Sequence, residues 1–426
     1  MPTRSQPPDP HPEPRRRALE HQGGAAAREG DPEVAAVLAA ALESVERAER
    51  DPLTHGLHAY PARMHHAIAR HVLQAWAEPR TRVLDPFCGS GTVLVEARRR
   101  GLRTAGVDLN PLALRIAEIA TTWAGPSERR ALADAAQRVV EASFDRVQRR
   151  VPVRAPLAAA ERQWYQPHVL LELGGLHAEI EALPPGMVRR ALQVVLSSIV
   201  VKFSRQRAET TEREVDKRIG KKVVTGFFAR KAQELVARLA ALADEAPEEG
   251  PSPRLWEGDA RRLREVVGRW RFDLVLSSPP YGGTYDYADH HARRYPWLGL
   301  SAEALQRGEL GARRHLSARG QDRDAARRWA EQVQAMLGSI GSVLSPRGRV
   351  VLLVGDAEVG GRRISAVRQL ATLAERAELM VVASASQRRP DFLGGAPRRE
   401  HLVALARAAA HQESAGPKGL EPLEPP

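Results

Sequence analysis

The stretch from Thr81 to Thr92, TRVLDPFCGSGT, constrains the fold more than any other part of this 426-residue chain. A short apolar run over 81–87 ends in a glycine-rich turn. It leads into a helical stretch, Thr92 to Arg100, closed by Gly101. RTAGVDL (103–109) then reads as a second strand and Pro111 to Trp123 as a second helix. Strand, glycine turn, helix, strand, helix is how a doubly wound α/β sheet opens. Glycines at the strand end let the backbone approach a ligand closely, with helix N–H groups facing it. Asp108 closes the second strand, about 20 residues beyond the turn, where an acid can accept from both hydroxyls of a ribose. It would repel a 2′-phosphate. A lone G-x-G is equally a tight structural turn; the whole octapeptide DPFCGSGT is far more specific.

The rest of the chain continues in blocks. Asp31-Pro32 caps a helix running from Glu33 towards Arg50. From about 126 to 250 the pattern is Ala/Leu/Arg-rich and helical, with QVVLSSIVVKF (193–203) readable as buried helix or as strand. APEEGPSP, within 245–253, reads as a linker. The sheet pattern resumes with FDLVLSS (272–278), a helix near Asp324 to Leu344, RVVLLVGD (349–356), a helix from Arg363 to Arg376, and two final strands at 378–386 and 400–407. This gives residues 1–30 as a disordered tail, 31–125 as a first half-domain and 126–253 as a helical insertion. A second half-domain follows over 254–408 and another disordered tail over 409–426.

Composition excludes several classes. No run of about 18 apolar residues is present, so a membrane span is not expected. The Pro/Arg/Gly-rich start has no apolar core of a secretory signal, and one cysteine, Cys88, forbids an internal disulfide and fits a cytoplasmic protein. No Cys/His cluster has zinc spacing, so no metal is expected. The excess of 64 Lys+Arg over 52 Asp+Glu, a formal +12, fits a polyanionic partner. Half of that excess lies in 202–231, which holds ten basic residues against four acidic ones. Lys217, Lys221 and Lys222 there are either phosphate contacts or a solvated basic face.

DPFCGSGT resembles the S-adenosylmethionine (AdoMet) motif of the amino-group DNA methyltransferases, the N6-adenine and N4-cytosine enzymes. Thr54-His-Gly-Leu-His-Ala-Tyr-Pro-Ala-Arg63 resembles the HxYPA[KR]-type segment that precedes it in many of them. The resemblance implies an α/β, Rossmann-like AdoMet-dependent methyltransferase fold: a doubly wound, mostly parallel sheet with a terminal antiparallel strand and a helical insertion. It also implies AdoMet binding by His58, Tyr60, Pro61, Asp85, Phe87, Gly89, Gly91, Thr92 and Asp108, with Asp259 near the adenine. DNA is the implied partner, and a cognate restriction endonuclease a further one.

Ser277-Ser278-Pro279-Pro280-Tyr281 follows a strand that two prolines must end. Alone it is a strand-ending turn; beside DPFCGSGT it resembles the SPPY loop frequent in N4-cytosine enzymes. An exocyclic base amine is a poor nucleophile because its lone pair is delocalised into the ring. Ser278 Oγ and the Pro279 carbonyl are expected to accept from the amine, with Pro280 shaping the loop. Tyr281 is expected to stack on a flipped base, and Ser277 to be structural. Asp286 and Tyr287 are expected near the base pocket, with the start of a helix as the other reading of the pair. Cys88 lies in the cofactor turn, which excludes the cysteine mechanism of C5-cytosine enzymes. The expected activity is methylation of a DNA base amine, cytosine N4 ahead of adenine N6. Alternatives are an RNA base N-methyltransferase, a protein-glutamine N5-methyltransferase and a non-catalytic nucleic-acid-binding module.

Overall fold

A computed structural model describes residues 24–49, 51–152, 155–208, 211–284, 286–316, 323–389 and 398–408. Twelve strands are defined: β1 Ala27–Gly30, β2 Arg82–Asp85, β3 Arg103–Asp108, β4 Gln206–Ala208, β5 Thr211–Glu214, β6 Arg254–Glu257, β7 Phe272–Ser277, β8 Leu344–Gly355, β9 Ala357–Val359, β10 Arg362–Ile364, β11 Leu379–Arg389 and β12 Arg398–Arg407. Ten longer helices accompany them: α1 Pro32–Glu43, α2 His66–Trp76, α3 Thr92–Arg99, α4 Pro111–Ala120, α5 Pro126–Gln148, α6 Pro167–Glu181, α7 Met187–Phe203, α8 Val223–Glu245, α9 Arg323–Val343 and α10 Ala366–Ala374.

Eight strands form one sheet in the order β1-β11-β12-β8-β7-β2-β3-β6. The pairs from β6 through β8 are parallel. The last strand in sequence, β12, is antiparallel to both of its neighbours. The chain lays down β2, β3 and β6 in one direction and returns to start β7 and β8 on the other side of β2. The sheet therefore reverses between β2 and β7, where α/β sheets open a crevice at their carboxyl ends. This is the Rossmann-like methyltransferase arrangement that the sequence led one to expect.

Both faces of the sheet are covered, as a parallel sheet requires. Val83, Leu274, Leu276, Val351 and Leu353 face α1 and α2, while Leu84, Val275, Val350 and Leu352 face α9 and α10. Asp31 caps α1 by accepting from the backbone N–H groups of Glu33 and Val34 at 3.1 and 2.9 Å. The insertion has its own core, in which Leu173, Leu196, Phe228 and Leu235 pack together and join α4 through Ile116 and Ile119. Residues 193–203 lie inside α7. Almost every side of that helix is buried, so its sequence lacks a polar stripe. The Ser197 and Ser198 hydroxyls donate back to the Val194 and Val195 carbonyls at 3.0 and 2.7 Å.

Three expectations are corrected. The N-terminal tail was drawn through Gly30, yet β1 pairs antiparallel with β11 and extends the sheet by an edge strand. The helix expected from Arg363 begins at Ala366, because Arg362–Ile364 pairs with β9 in a small hairpin. The insertion also contains the β4–β5 hairpin. Residues 1–23 and 409–426, expected to be disordered, lie outside the described residues.

Candidate active site

The carboxyl ends of β2, β3, β6 and β7 open into one cleft. Tyr60, Pro61, Asp85, Phe87, Gly89, Thr92, Asp108 and Asp259 line it together with Ser278 and Pro280. Asp108 organises the glycine turn: one carboxylate oxygen accepts from Gly89 N–H at 2.9 Å and the other from Asn110 N–H at 2.8 Å. Gly89 has φ +48, and a Cβ there would stand 3.1 Å from the Tyr60 ring. Gly91 does a different job. At φ +88 it caps α3, and a Cβ would press on Ala117 of α4 at 3.1 Å, so it sets helix packing and does not line the cleft. Asp259 is held in a two-pronged ion pair by Arg261, whose guanidinium also donates to the Gly308 carbonyl.

Ser277 closes β7, fully buried, and its Oγ donates to Asp85 at 2.6 Å. This bond ties the SPPY loop to the cofactor turn across the β2–β7 switch point. Asp85 also accepts from Phe87 N–H at 3.1 Å. Burial nevertheless pushes its carboxyl up to about 7, and burial pushes Asp108 up to about 6. Two carboxyl groups poised near neutrality in one cleft suit a ligand that brings positive charge.

Residues 16–119 match a family described as DNA methylase, of the N6 and N4 methyltransferase type. That match covers the segment leading into the cofactor-type turn and its first two strands, about a quarter of the chain. The Type II methyltransferase M.MvaI of Kocuria varians is 38% identical over 86 residues, 19% of each chain. The Type II methyltransferase M.MjaII of Methanocaldococcus jannaschii is 30% identical over 79 residues, 18% of this chain and 15% of its own. The match thus spans a fifth or less of either curated relative. Among solved structures, the rRNA methyltransferase aviRa from Streptomyces viridochromogenes gives a TM-score of 0.34 at 16% identity, covering 88% of this chain and 98% of that one. TrmN from Thermus thermophilus gives 0.32 at 14% identity, covering 81% and 49%. At these scores the likeness is general, and the fold class rests on the strand order itself.

The residues that line the cleft fit AdoMet. Asp108 stands at the end of the second strand for ribose hydroxyls, Asp85 offers a carboxylate to a cationic group, and Asp259 stands with Gly258 and Ala260 beside the third strand. Four sequence expectations need correction. His58 does not line the cleft: it is buried, with Nε2 3.0 Å from Ser197 Oγ on α7. Tyr281 turns away as well. Its ring lies against Gly355 of β8 and its hydroxyl donates to Glu400 of β12 at 2.6 Å. Asp286 is buried and accepts from Arg313 Nε and from Arg314 N–H at 3.2 and 2.9 Å, so it anchors a turn and does not present itself to a base. Lys217 donates to the carbonyls of Val201 and Lys202 at the end of α7, where a helix leaves acceptors unfilled. Pro279 is buried in the loop, and Lys221 and Lys222 are exposed on the insertion and are not among the residues that line the cleft.

Tyr287 does line the cleft, in a row of rings with Tyr60 (centroids 6.3 Å apart) and, beyond it, His291 (4.9 Å). Two participants were missed in the sequence, Glu309 and Asn110. Glu309 lines the cleft almost fully buried and accepts from Tyr287 N–H and from Arg314. Burial raises its carboxyl above the usual value. Asn110, the cap of α4, accepts from the Tyr295 hydroxyl at 3.1 Å; its place between Asp108 and Pro111 was the available clue.

Proposed function

We propose that this chain methylates the exocyclic amino group of a base in DNA, cytosine N4 ahead of adenine N6, with AdoMet as donor. The observation that carries the reading is the Ser277–Asp85 hydrogen bond, which fixes Ser278 and the AdoMet turn as two walls of one cleft. AdoMet, when bound, supplies an electrophilic methyl group on sulfur. Asp108 and the Gly89 turn hold the nucleoside end, and Asp85 and Asp259 contribute acceptors. Ser278 Oγ and the Pro279 carbonyl accept from the two N–H bonds of the target amine, directing its lone pair towards the donor. Tyr287, rather than Tyr281, supplies the ring for an unstacked base. No strong general base is needed, because the proton leaves after transfer; rate comes from positioning. The SPPY form favours cytosine, and the DNA methylase description of the matched family favours DNA. A cognate restriction endonuclease is the partner this reading carries. Among the described residues no helix is long and apolar enough to cross a membrane.

Incubation with labelled AdoMet and duplex DNA, followed by digestion to nucleosides, tests this. N4-methylcytosine is the expected product and N6-methyladenine the second. Label found only in RNA or protein would reject DNA as the substrate.

A further inference from the structure

Behind the wall of the cleft, three side chains from separated segments converge. His55, His66 at the start of α2 and Glu96 within α3 are all buried, and one donor atom of each lies within 4.8 Å of the others. The tautomer of His66 is fixed by its neighbour. Its Nε2 lies 2.8 Å from the Glu49 carbonyl oxygen. A carbonyl only accepts, so the proton sits on Nε2 and Nδ1 is a bare lone pair. That Nδ1 is buried and has no hydrogen-bond partner. A ring nitrogen donating to a backbone carbonyl while the other is left free is the usual posture of a metal-ligating histidine.

Glu96 has matching support. Arg70 and Arg99 hold its Oε2 at 3.1 and 3.4 Å, while Oε1 faces His55 Nε2 at 2.9 Å and also accepts from Arg70 Nη2 at 3.2 Å. The His55–Glu96 contact is a hydrogen bond, which an ion held by both atoms would replace. A small cavity lined by Asp51, Arg63, Met64 and His65 adjoins the two histidines.

We propose that His55, His66 and Glu96 bind one divalent transition-metal ion of the zinc type. Two imidazoles and one carboxylate are the donor set of such ions; calcium and magnesium take oxygen. Arg63, Met64 and Thr92 line both this cavity and the cofactor cleft. The ion would therefore clamp α2 and α3 to the loop carrying Tyr60. The spacings of 11 and 30 residues match no linear zinc pattern, and for that reason the sequence led to the expectation of no metal.

The test is calorimetric titration of the chelator-treated full-length protein with zinc chloride, without AdoMet or DNA. One zinc per chain is expected. His55→Ala and His66→Ala should each weaken binding at least about tenfold, while His71→Ala, further along α2, should leave it unchanged. In the unaltered protein cobalt chloride should give visible d–d bands of a low-symmetry site, bleached by zinc. This measurement decides the matter if the alanine variants do not fold. No zinc uptake, binding retained in both His55→Ala and His66→Ala, or a cobalt spectrum identical to that of the hydrated ion would overturn the proposal.

Discussion

At the scale of single residues, the cleft's chemistry turns on how far burial drives each carboxyl from its free value. Asp85 rises to about 7 and Asp108 to about 6, so both are largely neutral at pH 5 and ionised at pH 8. A cationic ligand binds the ionised forms, lowers both values and releases protons. AdoMet affinity should therefore weaken as pH falls, by up to about tenfold per unit below the Asp85 value. Titration calorimetry in two buffers of different ionisation enthalpy would detect the released protons; an affinity flat from pH 5.5 to 8 would contradict it. Ser277→Ala removes the hydrogen bond that favours the Asp85 anion. It should raise that carboxyl further and shift the pH dependence of AdoMet binding upward, at a stability cost of about 1–3 kcal/mol for an unsatisfied buried group. Ser278→Ala should abolish methyl transfer while AdoMet binding and the melting temperature stay near wild type. A Ser278→Ala protein with wild-type turnover would remove Ser278 from the site. The residues legible in sequence here were those of the glycine turn whose partners lie nearby in the chain, such as Gly89 and Asp108, 19 residues apart. His58 and Tyr281 were misplaced because Ser197, 139 residues away, and Glu400, 119 residues away, decide where they point.

Strands β2 and β3 and helix α3 are buried on nearly every side, and they were legible from the glycines and proline that bound them; with α4, their ends fell within three residues of expectation. Helix α7 has no such punctuation within 193–203, and burial on nearly all sides erases the helical period that separates helix from strand. Strand β1 was hidden for the opposite reason. All four of its residues are exposed, and only backbone pairing with β11 makes it a strand. The joint between the insertion and the sheet is more specific. Trp297 is fully buried in the insertion's core, and its indole N–H donates to the Tyr165 hydroxyl at 3.2 Å. Trp297→Ala should cost about 3–5 kcal/mol, seen as an earlier denaturant midpoint. Trp297→Phe should recover most of the packing but not the hydrogen bond. If the insertion folds as one unit with the sheet, both variants will keep a single transition.

For the whole molecule, sheet order and charge distribution locate different things. The reversal between β2 and β7 places Asp85 beside Ser277 and fixes the cleft, and this followed from the motif order in the chain. The basic surface did not follow so directly. Of the lysines singled out, Lys217 is consumed by the carbonyls that end α7, whereas Lys221 and Lys222 are exposed at the start of α8. The two should therefore act differently on a polyanion. Each phosphate contact releases condensed counterions and contributes about 0.9 to the slope of log affinity against log salt. The double change Lys221→Glu and Lys222→Glu should flatten that slope for duplex DNA by about 2 and weaken binding at low salt. Lys217→Gln should leave the slope alone and lower stability. An unchanged slope in the double variant would make this stretch a solvated face, and the cleft's own rim, with exposed Arg313 beside buried Asp286, would become the place where the phosphate backbone is gripped.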